Sequence, residues 1–198
     1  ASSVGSLTNP KKLADSFCSH GIKTNSNTIS SYIRYLQDAF VISQAKRYDI
    51  KGKRYIDTPS KYYFTDVGLR NARLNFRQVE QTHLLENIIY NELLARGFNV
   101  DVGVVEHRAL DKNGKYLSKK LEVDFVCNKG YQRYYVQSAF AIPDLEKMKQ
   151  EQAAFDRIDD SFKKVIVVLD GSLPYCNDSG YLIINALDFL LDRNSLNL

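Results

Sequence analysis

Three cysteines, one methionine and no tryptophan in 198 residues leave little room for several common architectures. Cys18, Cys127 and Cys176 are odd in number and far apart. That argues against a disulfide framework and against a zinc knuckle, and reduced, separate thiols are the expectation. No run of about 18 apolar residues occurs, so no membrane-spanning helix is expected. The opening Ala1-Ser-Ser-Val-Gly-Ser lacks the basic-then-apolar order of a signal peptide, and a cytoplasmic location is the expectation. Gly-x-x-x-x-Gly-Lys-[Ser/Thr] is absent, so no phosphate-cradling loop is encoded. His20, His83 and His107 have no partners at metal-ligand spacing.

What is present is unevenly distributed. Residues 1–80 hold 13 Lys+Arg against 6 Asp+Glu, a net +7, whereas residues 81–198 have 14 against 17, a net −3. A compact basic segment raises the local concentration of polyanions, so DNA, if bound, is expected there; a solvated lysine-rich face is the alternative. The patterning also changes near Asn75–Gln81, which divides the chain into 1–78 and 79–198.

In the first part, Asn9-Pro10 opens a short helix carrying Leu13, Ala14 and Phe17, with Gly21 as its stop. Thr24–Asn27 offers N-caps to a second helix, whose Ile29, Ile33, Leu36 and Phe40 form one apolar stripe. Val41–Tyr48 and Arg54–Asp57 flank a Gly-containing connection suited to a hairpin, and Lys61–Thr65 reads as a further short strand. Helices followed by such a ribbon predict a winged helix-turn-helix. Its recognition helix would present Ser31 and Arg34 to a groove, with Lys23 and the wing residues Lys51, Lys53 and Arg54 on phosphates. Docking of the same module on a protein partner is equally compatible with these residues.

In the second part, Leu84, Leu85, Ile88, Ile89 and Leu93 mark a helix over Gln81–Arg96. Strand-like runs follow at Phe98–His107, Leu121–Cys127 and Tyr134–Ile142, then a helix over Asp144–Asp159, strands at Lys164–Leu169 and Gly180–Asn185, and a closing helix. The order predicts an α/β layer around a buried sheet, and α+β for the whole. Glu122 and Asp124, two apart on one strand, face the same way and suit a hard divalent cation such as Mg²⁺. By the same rule Tyr135, Gln137 and Ala139 share a face, and Gln137 beside Asp124 would add an amide oxygen, with Glu86 a further acid from the helix. From spacing alone, a solvent-facing acidic strand is the simpler reading of Glu122 and Asp124.

The order His83-Leu-Leu-Glu86, Glu122-Val-Asp124-Phe and Tyr135-Val-Gln137-Ser-Ala resembles the PD-(D/E)XK nuclease-like fold. More narrowly, Tyr62-Tyr-Phe-Thr-Asp-Val-Gly-Leu-Arg70, Leu85-Glu-Asn87, Glu122-Val-Asp-Phe125 and Leu187-Asp-Phe-Leu-Leu191 resemble the C-terminal domain of unknown function carried by a group of prokaryotic AAA+ ATPases. The resemblance covers nearly the whole chain. It implies a winged helix, a restriction-endonuclease-like domain, and an ATPase module, with its ATP, upstream of residue 1. It also implies catalytic positions at Glu86, Asp124 and Gln137, of which Asp124 and Gln137 would hold Mg²⁺ in an active member. Here Gln137 stands where an acid is commonest and Ala139 where a lysine is usual. The expectation is a degenerate, non-cleaving domain that recognises nucleic acid or a partner, with no cofactor in this chain. The alternatives are a Mg²⁺-dependent nuclease whose lysine is displaced to Lys120, Lys147 or Lys149, and a docking platform that could form homo-oligomers.

Overall fold

A computed structural model describes residues 4–77, 80–110, 116–140, 145–171 and 173–198, and within them the chain is mixed α and β. Helices α1 (Pro10–Ser19) and α2 (Ser26–Asp38) come first, then strands β1 (Ile42–Asp49) and β2 (Arg54–Phe64) and helices α3 (Val67–Arg73) and α4 (Gln81–Ala95). Strands β3 (Asn99–Leu110), β4 (Tyr116–Lys129) and β5 (Gln132–Ala139), helix α5 (Leu145–Gln152), strands β6 (Lys163–Val168), β7 (Tyr175–Cys176) and β8 (Leu182–Asn185), and helix α6 (Ala186–Leu191) complete the order. None of the described helices is long and apolar enough to cross a membrane.

The first two helices form where their caps dictate. Asn9 and Asn25 hold extended backbone and accept from the amides of Lys11 and Thr28, satisfying N–H groups that have no intrahelical partner. Helix α2 ends at Asp38, so Phe40, expected to close the apolar stripe, lies beyond the helix at φ 56° and is 80% exposed.

All eight strands join one mixed sheet in the order β2-β1-β3-β4-β5-β6-β8-β7. The hairpin from the basic part is thus continuous with the sheet of the acidic part. Its β1 runs parallel to β3, with Arg47–Asp49 opposite Val102–Val104. Lys61–Thr65 is not a separate strand: β2 runs from Arg54 to Phe64. Ala45 pairs with Lys61 and Arg47 with Ile56, so four residues of β2, Asp57 to Ser60, stand opposite Lys46 alone. Extra residues on one strand bend a ribbon, and the bend turns the Ile42–Ala45/Lys61–Phe64 half toward α4. The expected helix over Asp144–Asp159 is shorter, Leu145–Gln152, followed by a 3-10 turn at Phe155–Arg157.

Helices lie on both faces. On one, Leu85, Ile89, Tyr90 and Leu93 of α4 and Phe189 of α6 pack with Phe125, Val136 and Val165, joined by Val4, Ala45 and Tyr63 from the first part. On the other, Phe155 and Ile158 cover Val105, Val123, Val126, Tyr135 and Ile166. Each such side chain contributes about 1.5–3 kcal/mol by leaving water.

A second irregularity sets the site. Asp101 pairs with Val126 and Gly103 with Val123, so Asp124 and Phe125 both stand opposite Val102. One extra residue reverses the alternation. Phe125 and Cys127 therefore share the α4 face with Glu122 and Asp124, while Val123 and Val126 point to the other core.

Candidate functional site: a buried lysine among three carboxylates

Helix α4 and the bent half of the hairpin are locked together by side chains one turn apart. Asn87 acts as a surrogate strand: its Oδ1 accepts from Phe64 N at 3.0 Å and its Nδ2 donates to Phe64 O at 2.8 Å. Asn91 donates to the same carbonyl, and Tyr90 OH and Ser43 Oγ lie 3.1 Å apart. The Tyr63 ring stacks on Tyr90 with centroids 4.2 Å apart. Lys61 and Tyr63, two apart on β2, are thereby aimed at Glu86.

There the Lys61 ammonium lies 2.8 Å from Glu86 Oε1 and 2.7 Å from Glu122 Oε1. Tyr63 OH donates to Glu86 Oε1 at 2.6 Å. Asp124 Oδ2 accepts from both the amide and the hydroxyl of Ser138, at 2.8 and 2.7 Å. The N-terminal segment closes the cluster: Gly5 N donates to Tyr62 O, and Gly5, at φ 73°, lies so close that a Cβ would sit 3.2 Å from Glu86 Oε2. Only Glu122, its side chain 34% exposed, opens to solvent; Lys61 is at 6% and Glu86 at 12%.

The electrostatics follow from this burial. Desolvation alone would lower the Lys61 pKa, but the charges of Glu86, Asp124 and Glu122 outweigh it and hold the ammonium above its ordinary value. Burial, then the neighbouring Glu86 charge, pushes the Asp124 carboxyl up to about 7, against the opposing effects of Lys61 and Ser138. The Tyr63 phenol is raised well above its usual range by burial and by Glu86.

Of the residues expected at this site, Glu86, Glu122 and Asp124 do converge. Gln137 does not take the expected place. Because of the bulge at Asp124–Phe125, the residue of β5 that meets the Asp124 carboxylate is Ser138, and Gln137 alternates with it alongside Tyr135 and Ala139 of the opposite core. The Gln137 amide oxygen instead accepts from Asp124 N at 3.2 Å. The two oxygens nearest Lys61 are engaged by it, and among the described residues no group of three or more His, Cys, Asp or Glu is placed to hold a metal. As arranged, the cluster does not fit Mg²⁺: Glu86 and Glu122 are held by an ammonium, and one Asp124 oxygen is held by Ser138. Of the lysines expected to be displaced into the site, Lys120 and Lys149 are exposed, and the Lys147 side chain lies outside the described residues. Sequence reasoning missed Lys61, Tyr63 and Ser138. The available signal was Lys61 and Tyr63 on one face of a strand otherwise rich in tyrosine.

The expected DNA-binding residues fall in two places. Lys23 and Arg34 are exposed and Ser31 half-buried in the α1–α2 region, while Lys51, Lys53 and Arg54 form the exposed hairpin turn. The turn is tied down, with Gly52 N donating to Asp49 Oδ1 and Arg54 3.6 Å from Asp49. The eight residues of β1, about 23 Å of extended strand, lie between the two groups along the chain.

Residues 1–80 match a domain of unknown function (DUF8612). An uncharacterized protein of Haemophilus influenzae is 36% identical over 167 residues, a match that spans 84% of this chain and 38% of that protein. The chain thus accounts for well under two thirds of that relative's length. No solved structure matches the chain. The family match contains Lys61 and Tyr63 but stops short of Glu86, Glu122 and Asp124. The lysine site is therefore assembled across the end of the matched segment.

Proposed function

We propose that this chain is a non-catalytic recognition module of a longer AAA+ ATPase, a winged helix joined to a PD-(D/E)XK-like domain, whose α1–α2 face docks on the ATPase part of the same protein. The observation that carries the reading is the state of that face. Ala14 and Ile29 are the only buried residues of the two helices, whereas Leu13, Phe17, Tyr32, Tyr35 and Leu36 are 36–59% exposed, with Phe40 beyond them at 80%. Apolar side chains gathered in this number on one helical pair mark a protein interface rather than a phosphate track. The carboxylate cluster supports the non-catalytic half of the reading, because Lys61 engages Glu86 and Glu122, acids that a metal-dependent nuclease would need free. The same lysine is the specific point in favour of the nuclease alternative, since it supplies an amine beside Asp124.

The test is binding of this chain to the purified upstream remainder of its parent protein, and separately to duplex DNA, across a salt series with and without Mg²⁺. Expected is protein binding that holds between about 50 and 500 mM salt and is lost in Tyr35→Ser/Leu36→Ser, with DNA left intact. DNA binding that falls steeply with salt and is lost in Arg34→Ala/Lys53→Ala would replace docking by nucleic-acid recognition. Self-association lost in the Tyr35/Leu36 variant would assign the face to a second copy. Mg²⁺-dependent cleavage abolished by Asp124→Ala would overturn the non-catalytic reading.

A further inference from the structure

Strands β1 and β3 are neighbours in the sheet, yet they pair only over Arg47–Asp49 and Val102–Val104. Toward the beginnings of both strands they part. The first half of β1 turns with β2 to α4, where Ser43 meets Tyr90, while β3 stays with β4, Asn99 opposite Asn128. The fork encloses a cleft of about 670 Å³, a size that accommodates a small ligand.

Three chemical features meet in it. The first is aromatic: the rings of Tyr48 and Tyr55 meet edge-on with centroids 5.4 Å apart, and Tyr55 is 58% exposed, leaving ring surface open to the cleft. The second is a buried acceptor. Asp101 is 8% exposed, its Oδ2 accepts from Tyr55 OH at 3.0 Å, and its Oδ1 accepts from no described residue. The third is positive charge. Lys46 is exposed and forms no ion pair among the described residues, and the Arg133 guanidinium is held 5.6 Å above the Tyr48 ring while its Nε donates to Asn128 Oδ1.

These features select a ligand class by elimination. A wholly apolar ligand would bury the Asp101 carboxylate without a partner. A cationic amine would be repelled by Lys46 and Arg133. Inorganic phosphate would leave the tyrosine surface and the acceptor unused. A nucleotide carries a flat base for the ring, an amine for the carboxylate and a phosphate for the cations. We propose that this cleft binds a nucleotide bearing an exocyclic amine, its base against Tyr55, its amine on Asp101 Oδ1 and its phosphate on Lys46, either free or as one unit of a single strand. The cleft is separate from the lysine–carboxylate cluster: Tyr90 lines it, but none of Lys61, Glu86, Glu122 and Asp124 does. The proposal therefore stands independently of the docking role of α1–α2.

Fluorescence anisotropy of a labelled AMP analogue and of a labelled single-stranded dA hexamer tests it, with unlabelled AMP, adenosine and inorganic phosphate as competitors. Tyr55→Leu and Lys46→Ala are the variants; both positions are exposed, and unchanged thermal melting checks their fold. Expected is displacement by AMP, a loss of about tenfold or more for AMP and adenosine alike in Tyr55→Leu, and a loss for AMP but not adenosine in Lys46→Ala. Binding of the hexamer alone, sensitive to both variants, would identify the strand as the source. No displacement by AMP at about 5 mM together with no variant-sensitive hexamer binding, or inorganic phosphate competing as well as AMP, would overturn the proposal.

Discussion

Lys61→Met removes the ammonium from the cluster while keeping most of the side chain's apolar volume. Two carboxylates lose their partner, and they respond differently. Glu122, at 34% side-chain exposure, can rehydrate, so its loss is that of a surface pair, about 0.5 kcal/mol. Glu86, at 12%, cannot, and stranding one member of a buried pair costs about 3–5 kcal/mol. The Tyr63 hydroxyl still donates to Glu86 Oε1 and offsets part of this, which places the expected destabilisation near the lower limit, about 3 kcal/mol. Urea denaturation at neutral pH reads the loss. The decisive arm is the double variant Lys61→Met/Glu86→Gln, in which the stranded charge is gone and the substituted amide oxygen still accepts from Tyr63. Its stability should return most of the way to that of Glu86→Gln alone, with a coupling energy of about 1 kcal/mol or more. A loss below about 1 kcal/mol in Lys61→Met, or no recovery in the double variant, would refute the buried ion pair.

Asp124 gives a pH signature. Its folded pKa is raised to about 7 by burial and Glu86, above the unfolded value of 3.8, so the folded state binds the extra proton between these values. Stability from this group is fully present below about pH 4 and is lost as pH rises toward 7, by about 4 kcal/mol at most. The unfolding free energy of wild type minus that of Asp124→Asn should therefore fall as pH rises from about 4 to 7, the variant becoming the more stable of the two, and a flat difference would contradict the burial argument. At Gly103, a Cβ would come within 2.9 Å of Ile50 Cδ1, Val123 Cβ and Val126 Cγ2, where β1, β3 and β4 meet. Gly103→Ala is expected to cost about 1–3 kcal/mol by overpacking, seen as a lower Tm; an unchanged Tm would mean that the three strands can shift apart.

Local chemistry was enough to place several elements. Asn9-Pro10 and Asn25 cap α1 and α2 because a short polar side chain reaches its own backbone within three residues, without help from the rest of the fold. The stripe of α4 and the pairing of Glu122 with Asp124 on one face likewise depend only on the periods of helix and strand. The strand near Tyr175 escaped because two residues, Tyr175 and Cys176, show no period.

The site was legible only in its acids. Glu86, Glu122 and Asp124 stand together, although spacing alone favoured a solvent-facing strand, and Gln137 and Ser138 exchange roles because one extra residue in β4 reverses the alternation, which no composition or spacing signals. The destination of Lys61 was equally hidden. A lysine between Ser60 and Tyr62 in a basic segment reads as a surface residue; it becomes buried because four residues opposite Lys46 fold the hairpin back onto α4, where Asn87, Tyr90 and Asn91 receive it. The sequence by itself determined the caps of α1 and α2, the apolar stripe of α4 and the shared face of Glu122 and Asp124, since these follow from contacts a few residues apart. Tertiary structure alone decided that both halves share one sheet and that Lys61 stands among the carboxylates, because strand register and the bend of the hairpin come from pairings tens of residues apart.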